Sequence, residues 1–395
     1  MPEFKVPDIP AEEVAHLAIE PGEVLEKILQ GKSLFVVDVR RPGAAQLHPL
    51  QFGRKARILV RPYVEFGNPE EIVAALPGDG ESLVVCATSR SARAAVRDLE
   101  RAGAQVRYLL GGTRAWDQFM DVRTVLQTAT GGLLQVARPG RGDLSYLVFS
   151  EGKAAILDPL RKYEHYLAVL AEKELQLAWV LDTHAHADHI TGAPALARTA
   201  GVPYYLHPYD AIHPVDMLPA AIPFQPIQDG LPLQVGAALG RIHWFPGHTL
   251  GLSFLYLTLD DHALLFTGDG IFLNSIGRPD LGGKAENWAG LLYESINRPF
   301  LRELEDDTLV LPGHFSDFED GDQGLYNAPL SRVRRRNSWL EGSERRAFIS
   351  RAAANLPPVP EAYLQMKRIN AGLSQASEEE ALELEAGPNL CAVST

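Results

Sequence analysis

The stretch VLDTHAHADHITG, residues 180–192, ends an apolar run and then sets three histidines and two aspartates almost side by side. The run AWVL before it has strand character, so the polar cluster stands where a buried strand gives way to a loop. Residues two apart on extended backbone face the same way, so His184 and His186 are expected to share a pocket, with Asp188 and His189 turning into the next helix. The pattern recurs three times further on, with His248 in PGHT, Asp269 in FTGD and His314 in LPGHF, each directly after an apolar strand. Strand ends gather side chains at one sheet edge. Imidazoles and carboxylates together are ligands for a transition metal, and this set suits one metal, or two sharing Asp269. His16, His48, His165, His207, His213, His243 and His262 stand outside these motifs and are read as packing or surface residues.

The chain has 395 residues, more than one hydrophobic core normally serves, so two domains are expected. In residues 1–125, the runs SLFVVDV (33–39), ESLVVCA (81–87) and QVRYLL (105–110) alternate with helical patterns such as RSARAAVRDLERAG (90–103). That alternation predicts βαβ units and a doubly wound parallel sheet. In residues 126–395 the spacing changes. LLQVA, SYLVFS and KAAILDP follow one another across Gly-rich turns, which predicts antiparallel hairpins, and later strands alternate with helices as in two sheets between helical layers. The fold class is therefore α/β in both domains. Ser377 and Glu380 have capping-box spacing and open a short acidic helix.

A net charge of −13 excludes a basic field for nucleic acid or an anionic membrane surface. No apolar run is long enough to span a bilayer, and the charged, proline-containing start lacks the apolar core of a signal peptide, so the expected compartment is cytoplasmic. The two cysteines, Cys86 and Cys391, cannot build a disulfide framework. A homo-oligomer is compatible with the composition.

The motifs THAHADH, PGHT, FTGD and PGH in this order resemble the metallo-β-lactamase superfamily over about residues 128–370. The resemblance implies a four-layer αββα sandwich with metal at the edge of its two sheets. Within that superfamily, FTGDGIFLNSIGRPDL (266–281) looks like the persulfide dioxygenases, whereas glyoxalase II enzymes have an aromatic, acidic sequence after the same Gly-Arg. RRRNSWL (334–340), LPPVPEAYLQMKRINAGL (356–373) and AGPNLCAV (386–393) are similar to the C-terminal segment of the same dioxygenases. This implies one Fe(II) held by His184, His248 and Asp269, with open positions for a substrate sulfur and O₂. His186, Asp188, His189 and His314 then orient ligands. The implied reaction oxidises a low-molecular-weight thiol persulfide with O₂ to sulfite and thiol, with Arg278 contacting the anionic substrate or holding the turn after Asp269. In a binuclear zinc thioester hydrolase of the glyoxalase II type, the same four residues would complete a second metal site, and ligand types alone allow either metal.

Cys86 ends a strand about four residues before a helix, a position whose N–H groups and positive helix end favour thiolate. With VVDVR (36–40) and GGTRAW (111–116), the region resembles a rhodanese domain over about residues 20–120. The resemblance implies that Cys86 carries sulfur and that Arg90 binds substrate. Here Arg90 comes one residue early, Ser89 replaces a common glycine, and the family's G-H-I-P-G-A stretch after DVR is missing. Those departures leave a third reading, a non-catalytic sulfane-sulfur or metal-binding regulator. Cys391 is read as a small buried apolar residue.

Overall fold

The computed structural model describes residues 6–78, 80–386 and 389–393. Gly387 and Pro388 of the AGPNLCAV motif lie outside the described residues.

The first five strands are β1 (Ala18–Ile19), β2 (Phe35–Asp38), β3 (Arg57–Val60), β4 (Ser82–Val85) and β5 (Val106–Leu109). They form one parallel sheet in the order β1-β5-β4-β2-β3, as the alternating pattern predicts. Alternate residues supply its two faces. Val37 and Val84 pack under Ala92, Val96 and Leu99 of the helix Arg90–Arg101, while Val36, Leu83 and Val85 join Val24, Leu25 and Trp116 on the other side. Helices cover both faces, which a parallel sheet requires.

The next seven strands are β6 (Asp121–Gln127), β7 (Gly131–Arg138), β8 (Asp143–Ser150), β9 (Lys153–Leu157), β10 (Gln176–Leu181), β11 (Tyr204–Leu206) and β12 (Gln225–Pro226). They make a second sheet in the order β12-β11-β10-β9-β8-β7-β6. The hairpins expected from the close spacing are present as antiparallel β6–β7, β7–β8 and β8–β9 pairs. Because β6 already pairs with β7, the change of sheet comes at Met120. The third sheet holds β13 (Pro232–Val235), β14 (Ala238–Trp244), β15 (Ser253–Leu259), β16 (His262–Gly268), β17 (Leu309–Pro312) and β18 (Ala328–Pro329) in sequential order.

Strand β8 shows why the two larger sheets stack. Leu144, Tyr146 and Val148 point into the core shared with Leu255, Leu257, Leu264 and Phe266 of the third sheet, whereas Leu147 points outward to a cluster with Tyr166, Leu170 and Leu196. On the far side, Phe254, Leu265 and Val310 meet Leu292, Ile296 and Val333. Helix, sheet, sheet and helix thus form four layers. The inward Gln135 is fully buried between the sheets, donating to Gly324 O at 2.8 Å and accepting from Tyr326 N–H at 2.8 Å. The first unit docks through Trp116, whose ring is fixed within that unit by Nε1 donating to Gln51 O at 3.0 Å. Gly140, in the β7–β8 turn, lies against that ring: a Cβ there would come within 2.8 Å of its Cδ1. No helix among the described residues is long and apolar enough to cross a membrane.

Candidate metal centre

Strand β10 ends at Leu181, and the chain runs as a loop until the helix Ala193–Ala200. His184, His186, Asp188 and His189 all lie on this loop, so Asp188 and His189 do not enter the helix as expected. The loop backbone is fixed by buried side chains from four other segments. Asp210 accepts from Ala185 N–H at 2.7 Å, Glu385 from Ile190 N–H at 3.0 Å, and Asp158 from Thr183 N–H at 2.6 Å. Asn370 donates to the carbonyls of His186 and His189 and accepts from Thr191 N–H. Asp158 holds its place with a left-handed φ of 50°, a strained conformation for a non-glycine residue.

His184, His248 and Asp269 converge at the sheet edge, wholly buried, with Nε2 of the two histidines 3.7 and 3.5 Å from Asp269 Oδ2. These three atoms have no hydrogen-bond partner among the described residues. Each histidine is turned inward by the bond its other nitrogen makes. Nδ1 of His248 donates to Arg278 O at 2.9 Å, which leaves the lone pair on Nε2. Thr183 Oγ1 donates to Asp158 Oδ2 at 2.9 Å and so accepts from His184 Nδ1 at 3.0 Å, with the same result. Burial lowers the proton affinity of both rings, and His184 is lowered further by its histidine neighbours. Two neutral imidazole lone pairs and one free carboxylate oxygen facing one point fit a metal ion, and buried polar atoms are rarely left unpaired otherwise. Close packing shapes the site as well. A Cβ on Gly277 would lie 2.0 Å from Asp269 O and 2.8 Å from His248 Nδ1.

His186 and His184 have ring centroids 4.2 Å apart, but His186 is held from the opposite side: its Nε2 donates to Asp158 Oδ1 at 3.1 Å. Burial opposes its protonation, yet Asp158 and Asp182 raise its pKa well above the ordinary value. Its Nδ1 has no partner among the described residues.

His314 joins the two carboxylates. Nδ1 donates to Asp269 Oδ1 at 2.5 Å and Nε2 to Asp188 Oδ2 at 2.8 Å, with Asp143 Oδ1 3.2 Å away. Against the opposing effect of burial, Asp269 and Asp188 raise its pKa, and in return His314 pulls both carboxyls down. Asp188 Oδ2 also receives Asn389 Nδ2 at 3.2 Å and His189 Nδ1 at 3.4 Å. Asp188 Oδ1 and His189 Nε2 remain without partners among the described residues. Arg138, buried beside them, pairs with Asp143 and with Glu385.

Arg278, expected to contact the substrate or to hold the turn after Asp269, is engaged within the protein. Its side chain is wholly enclosed, Nε and Nη2 grip the Asp280 carboxylate at 2.6 and 2.8 Å, and the remaining donors go to Leu390 O and Pro357 O. It holds the turn after Asp269, and its own carbonyl orients His248. Cys391 has a position that its reading as apolar filler misses. Buried as expected, its sulfur nevertheless lies within 4.8 Å of carboxylate oxygens of Asp188 and Asp269, and its N–H donates to Asn389 Oδ1 at 3.1 Å. The only signal for this in the sequence is the likeness of AGPNLCAV to the dioxygenase C-terminal segment. His243, stacked on Phe300 at 3.5 Å, and His207, stacked on Trp244, are packing residues as expected.

In the first unit, Cys86 follows β4 and its sulfur accepts from Ala92 N–H at 3.4 Å, at the start of the helix Arg90–Arg101. Ser89 adopts a left-handed φ of 69°, the conformation that favours the glycine it replaces, and its hydroxyl donates to Leu109 O at 3.0 Å. Arg90 is exposed at the mouth of a cavity that Cys86 also lines.

The sequence profile of the metallo-beta-lactamase superfamily matches residues 138–314, a span holding every residue of the metal cluster except Asn389 and Cys391. An uncharacterized protein of Aquifex aeolicus is 31% identical over 188 residues, covering 45% of this chain and 85% of that protein. A hydroxyacylglutathione hydrolase of Anaeromyxobacter dehalogenans is 33% identical over 180 residues, 45% of this chain and 63% of the hydrolase. Among solved structures, a metallo-beta-lactamase from Staphylococcus aureus subsp. aureus COL superposes with a TM-score of 0.53 at 26% identity, covering 64% of this chain and 72% of that one. The C-terminal region of the chain has the metallo-beta-lactamase superfamily fold.

Proposed function

We propose that this protein is a persulfide dioxygenase with a mononuclear iron site at His184, His248 and Asp269, joined to a rhodanese-like unit that handles sulfur through Cys86. The observation that carries the reading is the unequal state of the two halves of the histidine cluster. His184, His248 and Asp269 offer three free ligand atoms on one side of a point, while His314, the residue a second metal would need, has both nitrogens committed to carboxylates. Fe(II) held by two imidazoles and one carboxylate would supply redox chemistry with O₂ at open coordination positions. The chain's own contribution is to fix the ligand tautomers through Thr183 and Arg278 O, to hold Asp269 through His314, and to keep the ligand side chains buried. Motif likeness in residues 266–281 and 334–393 supports the same choice of substrate. For the first unit, the strand order, the position of Cys86 and the Ala92 N–H aimed at its sulfur support sulfur handling.

A second reading, a binuclear zinc thioester hydrolase, is favoured by the unpartnered Asp188 Oδ1, His189 Nε2 and His186 Nδ1 and by the likeness to a hydroxyacylglutathione hydrolase. Metal analysis after anaerobic purification separates the two. One iron per chain and O₂ uptake on adding glutathione persulfide are expected. Two zinc ions per chain, with thiol release from S-lactoylglutathione, would establish the hydrolase instead.

A further inference from the structure

Cys86 opens into a cavity of about 800 Å³ that the first unit does not enclose alone. One wall comes from the first unit, with Arg41, Arg90 and Arg114. The facing wall is the far end of the chain, the helix Glu378–Glu385 that follows the metal domain, which contributes Leu382, Glu383 and Glu385. This helix is built into place. Glu385, 2% exposed, accepts from Ile190 N–H and lies 3.3 Å from both Arg138 and Arg161, and Glu378 pairs with Arg161 and Lys162 at 2.5 and 2.6 Å. His48 and the carbonyl of Ala386, 3.1 Å apart, join the walls at one edge.

The exposed unpaired charges on the two walls have opposite sign, and the half-buried Asp117 adds a carboxylate to the first unit's wall. Arg41 and Arg90 on one side and Glu383 on the other are exposed, and none forms an ion pair with a described residue. Arg114 has only a long contact, 3.6 Å, to the exposed Glu379. A cavity of this size lies in the range of small-molecule sites, ~300–1,000 Å³. An inorganic sulfur anion would occupy a small fraction of it and would meet Glu383 as a like charge.

We infer that this composite cavity binds a zwitterionic, amino-acid-built thiol of about tripeptide size, its carboxylates toward Arg90 and Arg114, its ammonium toward Glu383 and its sulfur toward Cys86. The terminal helix of the metal domain is then a specificity element of the first unit's site. The inference rests on the reading of Cys86 as a sulfur-handling residue, and its test reads occupancy at Cys86 without using either unit's chemistry.

The full chain is treated with iodoacetamide, and alkylation of the Cys86 peptide is followed by mass spectrometry with and without S-methylglutathione. Cys391, 1% exposed, does not compete for reagent. Saturating S-methylglutathione should slow Cys86 alkylation about tenfold, and the His184→Ala variant should show the same protection, placing the ligand away from the metal centre. Glu383→Gln and Arg90→Gln, both at exposed positions, should each raise the half-protecting concentration about fivefold, the upper range for a partly exposed ion pair. No protection, or equal protection by sulfate at matched ionic strength, overturns the inference. Protection that persists in a protein showing no sulfur transfer would remove the sulfur-handling reading while leaving the ligand class intact.

Discussion

The imidazole of His314 lies 2.5 Å from Asp269, Nδ1 to Oδ1, so one oxygen of the carboxylate is committed to histidine and only Oδ2 faces His184 and His248. This contact supports the proposal of a single metal at His184, His248 and Asp269. In that reading Asp269 serves the metal through Oδ2 alone, and His314, donating from both nitrogens to Asp269 and Asp188, acts as an orienting partner.

Replacing His314 by alanine should therefore leave the metal count at one per chain while weakening its affinity ~10- to 100-fold, the usual effect of losing an orienting partner. Competition with a chelator measures the affinity and elemental analysis the count. A drop from two metals to one would show His314 to be a ligand.

Gly277 gives a steric test of the same centre. With a Cβ 2.0 Å from Asp269 O and 2.8 Å from His248 Nδ1, Gly277→Ala must displace one of two ligands, because the nearest obstacle is backbone. Metal affinity should fall at least tenfold, and stability by roughly 2–4 kcal/mol, the range of strong packing clashes. Gly342→Ala serves as the control, since nothing lies within 4 Å of its added methyl. Equal behaviour of the two variants in a chelator titration would remove Gly277 from the account.

The strand-end motifs made most of this site legible, because apolar strands followed by His or Asp must bring those side chains to one edge whatever the loops do. The pairing of hairpins from β6 to β9 was legible for a similar reason: spacing and turn residues are local. What sequence could not supply was long-range. Asn370 and Glu385 hold the metal loop from 184 and 195 residues away, and although their segments stood out by likeness and by capping pattern, nothing local marked these two side chains as its supports. The same holds for Cys391, whose position beside Asp188 and Asp269 depends on how the chain end folds back. The orientation of His186 toward Asp158 was missed because the strand had ended by residue 182, so the two-residue period no longer applied.

Arg278 carries two readings, a substrate contact and a brace for the turn after Asp269. Its guanidinium makes a bidentate pair with Asp280 and bonds to Leu390 O and Pro357 O, all inside the protein. Arg278→Lys keeps the charge and loses the planar fork. The expected result is a stability loss of roughly 2–4 kcal/mol from unpaired buried groups, read by urea denaturation, with the KM of the folded fraction for persulfide essentially unchanged. A tenfold rise in KM at unchanged stability would return Arg278 to the substrate.

Asp117 supplies a pH-dependent test at the boundary between the units. Burial raises its carboxyl from the ordinary 3.8 to about 6, against the pull of Arg141, Arg138 and Arg40. A carboxyl whose proton affinity is higher in the folded chain than in the unfolded one disfavours folding as it ionises. The penalty is absent at pH values below about 3.8, where both states are protonated, and complete above about 6. Two pKa units correspond to at most about 3 kcal/mol. Asp117→Asn should accordingly gain stability relative to the parent as pH is raised from 4 to 7, with the difference levelling off beyond. Urea midpoints measured across that range check the sign. A difference that does not vary with pH would mean that Asp117 ionises in the folded protein as it does in the unfolded chain, with the arginines offsetting its burial in full.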